Sequence, residues 1–236
     1  MDLTILSWGA SGWGDEFFYA TLITISVATC SFAFGIFLAA GAATMKLSNY
    51  RVLRMLANGY TTVVRGIPEL LIIYLIFYGG NGILMSIAKD VFDYHQYIEL
   101  PIFLMGVLCI GLSSGAYSTE VIRGAVLAVP IGTIEAAKAI GMNTSTRFRR
   151  ILLPQVARFA LPGLGNVWQL TLKETSLISV IGLAEIVRIA QIGAGSEKQP
   201  FTFFFAGLIL FLILASLSDR GYLSLHRWAN RGVRGA

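Results

Sequence analysis

Five apolar stretches, each long enough to cross a bilayer as a helix, constrain this chain more than any other feature of its sequence. A helix needs about 20 predominantly apolar residues to cross the hydrocarbon core. The hydrophobic fraction of 56% and the charged fraction of 13% also differ from those of soluble domains, which carry more charge. The sequence therefore predicts an all-α membrane protein, one transmembrane domain over 1–236, with five transmembrane helices at about 17–43, 57–79, 101–125, 155–182 and 201–217.

The basic residues predict how these helices are oriented. Twelve Lys and Arg residues fall in the segments that would lie on one side of the membrane, and three fall in those on the other side. Because cytoplasmic loops are enriched in Lys and Arg, this asymmetry predicts an N-terminus outside and a C-terminus inside. Basic residues in cytoplasmic loops also explain the net charge of +5, so no nucleic-acid partner is expected.

Small and hydroxylated residues predict close helix packing and one break. Gly35 and Gly41 in the first stretch would let another helix approach closely. Thr175, Ser176 and Ser179 in the fourth stretch can satisfy backbone groups if the helix opens there. The segments 80–100 and 183–200 are expected to be loops on the outside.

The segment 126–154 is a polar, basic interruption between the third and fourth stretches, and we expect it in the cytoplasm. The run EAAKAIG predicts a short exposed helix opened by Glu135 and ended by Gly141, because glycine adopts a left-handed backbone without strain. The following Asn-Thr-Ser can cap a second helix. The basic side chains of that helix are expected in water and the apolar ones inward: Arg147, Arg149 and Arg150 against Phe148, Ile151 and Leu152.

This segment also meets every fixed position of a known loop pattern. The pattern is Glu-Ala-Ala, three residues, Gly, nine residues and Ile-x-Leu-Pro, and it runs from Glu135 to Pro154. The segment resembles the EAA loop of the membrane permease subunits of ABC importers. The resemblance implies docking on a soluble ATPase through Glu135, Ala136, Ala137 and Gly141. The alternative is an ordinary loop helix in which Glu135 favours the helix N-terminus.

Three pairs of opposite charges interrupt the apolar stretches. Arg65 and Glu69 can pair along one helical face, although Pro68 loosens the turn between them. Lys173 and Glu174 are adjacent and point about 100° apart, so at least one should face a polar space. Glu120 and Arg123, spaced three apart, form the third pair. We predict that charges border the substrate pathway, with structural ion pairs as the alternative; the candidates are Arg65, Glu69, Glu120, Lys173 and Glu174.

Three longer stretches extend the resemblance over nearly the whole chain. RGIPELLIIYLIFYG, GAYSTEVIRGAVLAVPIGTIEAA and LKETSLISVIGLAEI are similar to sequences of permeases for polar amino acids, in the histidine, lysine, arginine, ornithine and opine group. The resemblance implies ATP-driven import of a polar or basic amino acid, or an opine, from the periplasm across the bacterial inner membrane.

The resemblance also implies a set of partners. They are a second EAA-bearing permease, two ATP-binding subunits and a periplasmic solute-binding protein. ATP and Mg²⁺ would be bound by the ATPase partner. This chain has no GxxxxGK[ST] motif, and we expect it to bind no cofactor and to catalyse no reaction.

Two other classes of protein are weighed against this prediction. A secondary transporter or channel would work without an ATPase, but secondary transporters usually show two related halves, which five spans do not give. An intramembrane enzyme would need a nucleophile and a base at one depth, whereas His95 and His226 lie outside the apolar stretches. His95 is expected at the surface without a metal, and Cys30 and Cys109 are expected to act as small apolar residues.

Overall fold

The computed structural model describes residues 3–9, 12–92 and 100–230, and within these ranges the regular structure is helical. The predictions for His95, Arg231 and Arg234 lie outside the described residues. The α-helices are α1 Gly14–Leu47, α2 Arg51–Gly66, α3 Glu69–Tyr74, α4 Gly80–Phe92, α5 Ile102–Ala128, α6 Ile131–Ala139, α7 Thr144–Arg147, α8 Leu153–Glu174, α9 Ile186–Glu197 and α10 Pro200–Ala229.

Short irregular helical turns join several of these helices. A 3₁₀ turn at Leu3–Leu6 precedes α1, and π-helical turns at Leu75–Gly79 and Phe148–Leu152 connect α3 to α4 and α7 to α8. A second 3₁₀ segment, Thr175–Ile181, continues from α8. By length and composition, four helices can cross a membrane, or five if the bent pair Thr144–Ile181 and Ile186–Glu197 counts as one span.

The centre of the molecule is the contact between α1 and α5. A Cβ atom added at Gly35 would lie 2.9 Å from the Gly115 nitrogen, and one at Gly115 would lie 3.2 Å from the Gly35 oxygen. The two backbones therefore touch, as small residues in membrane helices allow. The expectation for Gly35 is confirmed, whereas a Cβ at Gly41 would meet no atom within 4 Å, so no described helix approaches closely at Gly41.

The predicted second span, 57–79, is wrong in its bounds. Helix α2 ends at Gly66, Ile67 is extended with φ −105° and ψ 136°, and the apolar helix begins at Glu69. Pro68 causes the break, because it lacks a backbone donor and disfavours helical conformation at the residue before it. The candidate span is Glu69–Ile87, so residues after 80, predicted as a loop, continue the helix.

The predicted outside loop at 183–200 is also largely helical. Helix α9 fills most of it and packs its buried Ile186 and Ala190 with Phe17 and Phe203 of α1 and α10. Glu185, fully buried, caps α9 by accepting hydrogen bonds from the Val187 and Arg188 nitrogens. The buried residues Ile186, Ala190, Gly193 and Ala194 are spaced as on one face of a helix, so a helical period was present in the sequence although the segment was predicted as a loop.

The fourth and fifth spans differ less from the predictions. The helix opens at Thr175, where its hydroxyl donates to the Leu172 carbonyl at 2.7 Å and Ser176 donates to the Lys173 carbonyl at 2.7 Å. The predicted opening is therefore confirmed. Gly182, with φ 99°, ends the segment, and α10 continues past the predicted end at residue 217 to Ala229.

Candidate functional site

Tyr117 brings together two charged side chains that flank the break between α2 and α3. The Arg65 guanidinium lies over the Tyr117 ring, 5.3 Å from its centroid. The Tyr117 hydroxyl donates to a Glu69 carboxylate oxygen at 3.3 Å. Among the described residues no ion pair joins Arg65 to Glu69, so the prediction that they pair along one helical face is wrong. Because the chain breaks at Pro68, the two side chains meet through α5 instead.

Glu174 faces the same place from the end of α8. Glu69 and Glu174 line one narrow recess, together with Ser113, Cys109 and Leu177. The buried Ser113 hydroxyl has no hydrogen-bond partner within the described residues. Two carboxylates and a free hydroxyl therefore meet at one recess, which we call the polar recess. The exposed Arg65 guanidinium does not line it and is connected to Glu69 through Tyr117.

Lys173 lies away from the polar recess. It is exposed and borders an apolar groove formed with α9 and α10, beside Val187, Phe204 and Leu208. Consecutive helical residues point about 100° apart, so Lys173 and Glu174 cannot face the same space. This placement agrees with the expectation from the sequence that Lys173 and Glu174 do not neutralise each other. The structure does not place Lys173 near the other candidate pathway residues.

Glu120 belongs to a separate ion cluster at the end of α1. One carboxylate oxygen contacts the Lys46 ammonium, and the other accepts a hydrogen bond from the Arg123 Nε at 3.0 Å. The Glu120–Arg123 pair expected from the sequence is confirmed. The Lys46 side chain is only 7% exposed and the Glu120 side chain 23%, so these groups bind each other within α1 and α5.

The candidate coupling residues lie on and after α6. Gly141 has φ 77°, which confirms its predicted left-handed conformation, and Asn143 accepts a hydrogen bond from the Thr146 nitrogen at 2.8 Å as predicted. Glu135 does not open the helix, because α6 begins at Ile131 after Pro130. Glu135 and Ala136 are exposed, whereas Ala137 is buried.

One expectation for the second loop helix is wrong. Phe148, expected to turn inward, is 51% exposed, although Ile151 and Leu152 are half-buried. The π-helical turn at Phe148–Leu152 inserts an extra residue into the helix, which changes the direction of the side chains before it. Exposed Phe148 and Ile140 therefore flank the exposed surface of α6 with apolar groups.

Sequence reasoning missed two residues that organise these sites, Tyr117 and Lys46. Tyr117 stands in a run of small residues in α5, GAYSTE, and a phenol among small side chains was the only signal available. Lys46 gave no local signal, since its partner Glu120 is 74 positions away in the sequence. Both contacts depend on how α2, α1 and α5 pack.

Comparison with known families decides the class of the protein. Residues 31–231 match the family described as the binding-protein-dependent transport system inner membrane component. The chain belongs to this family. It is thus a multi-pass permease of the inner membrane, and the predicted membership of the ABC importer permeases is confirmed.

Several curated relatives match the permease along its whole length. It is 61% identical over 234 residues to the nopaline transport system permease protein of Agrobacterium fabrum, covering 99% of each chain. It is 46% identical over 232 residues to the octopine transport system permease protein of Rhizobium meliloti, covering 98% of each. The histidine/lysine/arginine/ornithine transport system permease protein of Salmonella typhimurium is 36% identical over 225 residues, 95% of this chain and 98% of that one.

Solved structures share the fold of the permease. A crystal structure of an amino acid ABC transporter with histidines superposes with a TM-score of 0.77 and 27% identity, over 91% of this chain and 94% of that one. An inward-facing methionine ABC transporter gives a TM-score of 0.67 at 16% identity, which shows the fold alone. The relatives are transport permeases, so the permease is a transport subunit and not an enzyme.

Proposed function

We propose that this permease carries an opine or a basic amino acid through the membrane as part of an ATP-driven importer. The substrate class is supported by relatives named for nopaline, octopine and histidine/lysine/arginine/ornithine transport. The observation that carries the proposal in the structure is the meeting of Glu69 and Glu174 at the polar recess, with the Arg65 guanidinium connected to Glu69 through Tyr117.

The chemistry of the polar recess suits such a substrate. A basic amino acid carries an α-ammonium group, a cationic side-chain group and a carboxylate, and an opine is derived from an amino acid. Glu69 and Glu174 can accept hydrogen bonds from cationic groups, and Arg65 can donate to a carboxylate. Charge-assisted hydrogen bonds of this kind contribute about 1.5–3 kcal/mol each. Since the recess is too narrow for a water molecule, the substrate passes only after α3 and α8 separate.

The roles of the other two candidates are assigned differently. Glu120 holds Lys46 and Arg123 and serves as a structural ion pair at the border of the pathway. Lys173 is exposed at the groove with α9 and α10 and points away from the polar recess, so it has no contact with the proposed substrate site. We therefore place the substrate-binding role on Arg65, Glu69 and Glu174.

Helix α6 is the proposed contact with the ATPase. The exposed Glu135 carboxylate supplies a charge that fixes the position of α6 on the ATPase. Exposed Ala136 permits close approach of a cleft in that partner. Exposed Ile131 and Ile140 lie at the two ends of this surface. Ala137 is buried within the permease and supports α6 from below, and Gly141 turns the chain away after the helix.

The proposed assembly contains this permease, a second EAA-bearing permease, two ATP-binding subunits and a periplasmic solute-binding protein. ATP and Mg²⁺ bind to the ATP-binding subunits. The proposed orientation places the N-terminus in the periplasm and α6 and the C-terminus in the cytoplasm, in keeping with the distribution of Lys and Arg.

The test is uptake of labelled nopaline, octopine and arginine by cells with the complete transporter carrying Glu69→Gln or Glu174→Gln. We expect normal assembly and basal ATPase activity with at least a tenfold loss of uptake in one of the variants. Glu16→Gln, at an exposed acid near the start of α1, is the matched control. Normal uptake in both variants, or uptake of arginine without any ATPase partner, would contradict the proposal.

A further inference from the structure

A second recess, between α8 and α10, holds polar side chains that the proposed transport function does not use. Its volume is about 280 Å³. Gly165 makes it possible, because a Cβ atom there would lie 3.1 Å from the Tyr222 ring, which packs against α8 at this point. The polar groups that line this lateral recess are Asn166 and Gln169 on α8 and Asp219, Tyr222 and His226 on α10.

Acceptor groups dominate the lateral recess. Within the described residues, Asp219 makes no ion pair or side-chain hydrogen bond, and the Asn166 amide and the Tyr222 hydroxyl have no partner either. The Gln169 amide nitrogen donates to the Ala215 carbonyl at 3.0 Å, so its oxygen remains available. An unpaired carboxylate surrounded by further acceptors attracts a cation with several N–H donors.

The depth of Asp219 matches the region of lipid headgroups. Helix α10 begins at Pro200, and at 1.5 Å per residue Asp219 lies about 28 Å further along the axis. The hydrocarbon core of a bilayer is about 30 Å thick. With Pro200 at one hydrocarbon boundary, Asp219 would lie near the other, and exposed Leu170 and Leu212 would lie deeper on the same pair of helices and offer apolar surface to an acyl chain.

We propose that the lateral recess binds a phospholipid with a primary amine headgroup. Its ammonium contacts Asp219 and the amide oxygens of Asn166 and Gln169, and its phosphate accepts from the Tyr222 hydroxyl. The His226 imidazole already contacts the Asn230 amide nitrogen at 3.1 Å and borders the site without a role in this contact. A quaternary ammonium fits less well, because it has no N–H donors and is usually held by several aromatic faces, whereas Tyr222 is the single aromatic residue of this recess among the described residues.

The experiment compares headgroups on the wild-type protein, purified in mild detergent with the subunits that accompany it. Native mass spectrometry counts the lipids retained at increasing concentrations of phosphatidylethanolamine, its N-methylated forms and phosphatidylcholine, all with the same acyl chains. We expect at least fivefold tighter retention of phosphatidylethanolamine than of phosphatidylcholine, with a stepwise loss on methylation. This comparison needs no variant and therefore no assumption about folding.

Variants then locate the bound lipid. Asp219→Asn is expected to abolish the preference for the primary amine, whereas Ser218→Ala, one residue away and lining the groove on the other side of Tyr222, should keep it. Equal retention of both headgroups by the wild type, or a preference that survives Asp219→Asn, would overturn the proposal. A loss of the second permease from the complex with Asp219→Asn would instead identify this recess as a subunit interface and would also overturn it.

Discussion

Glu120 neutralises two basic side chains, and this gives it a testable role in stability. It neutralises Lys46, whose side chain is only 7% exposed, as well as Arg123. Glu120→Ala leaves the Lys46 ammonium buried without a partner, and we expect a loss of roughly 3 kcal/mol in the free energy of unfolding. Arg123→Ala, at a side chain that is 38% exposed, should cost less than about 1 kcal/mol.

Thermal unfolding of the purified protein measures both changes. The double variant Lys46→Met with Glu120→Ala should recover part of the lost stability, since no buried charge remains. Equal destabilisation by Glu120→Ala and Arg123→Ala would contradict the prediction, because it would mean that burial of Lys46 makes no difference.

Tyr117 makes one contact through its hydroxyl and another through its ring, and different substitutions can remove them separately. Tyr117→Phe removes the hydroxyl that donates to Glu69 at 3.3 Å but keeps the ring under Arg65. A net hydrogen bond is worth about 1 kcal/mol, so we expect uptake to fall roughly fivefold. Tyr117→Ala removes the ring as well and should lower uptake further. The measurement is the substrate concentration for half-maximal uptake, which should rise as uptake at low substrate concentration falls. Identical values for Tyr117→Phe and the wild type would show that the hydroxyl does not position Glu69.

At the scale of the elements, the contact of α1 with α5 can be tested with two glycines. Gly115→Ala places a methyl group against the Tyr60 hydroxyl at 2.7 Å and the Gly35 oxygen at 3.2 Å, and overpacking of this kind costs about 1–3 kcal/mol. Gly41→Ala is the control. Gly41 lies in α1 with no atom within 4 Å of an added Cβ, so this substitution should be neutral or stabilising. Unfolding midpoints measure the difference, and a Gly41→Ala loss as large as that of Gly115→Ala would contradict the packing described.

Helix α6 is the second element whose role can be tested. Glu135→Lys reverses the exposed charge, and Gly141→Leu places a side chain at φ 77°, where left-handed backbone is strained for residues other than glycine. We expect both variants to insert normally and to lower substrate-stimulated ATP hydrolysis at least tenfold. Lys138→Gln, at an exposed neighbour on α6, is the control. Full ATP hydrolysis and uptake in both variants would rule out a docking role.

For the whole molecule, the proposed orientation can be measured with single cysteines. In a protein with Cys30 and Cys109 replaced by Ala, Ser7→Cys near the N-terminus should react with an impermeant thiol reagent added to intact spheroplasts. Ser224→Cys, near the end of α10, should react only after the membrane is permeabilised. An uncharged reagent that crosses the membrane should label both positions and is the control. Labelling of Ser224→Cys but not of Ser7→Cys in intact spheroplasts would reverse the topology.

The sequence by itself determined the class, the family and most of the helices. Long apolar stretches fix helices in a membrane, because lipid offers no partner to a free backbone group. Local rules were also sufficient at Gly141, at Asn143 and at the opening near Thr175, where the conformation depends on a few neighbouring residues. Pro68 marked a break from sequence as well, but its effect on the span bounds was underestimated.

Only the tertiary structure decided which charges meet. Arg65 and Glu69 looked like a helical pair but are joined through Tyr117 of α5, and Glu120 is neutralised by a lysine 74 positions earlier. Glu69 reaches Glu174 at the polar recess, whereas adjacent Lys173 faces another groove. The physical reason is that helix packing fixes the direction of each side chain, and the packing depends on contacts such as Gly35 against Gly115 that no local period of residues encodes.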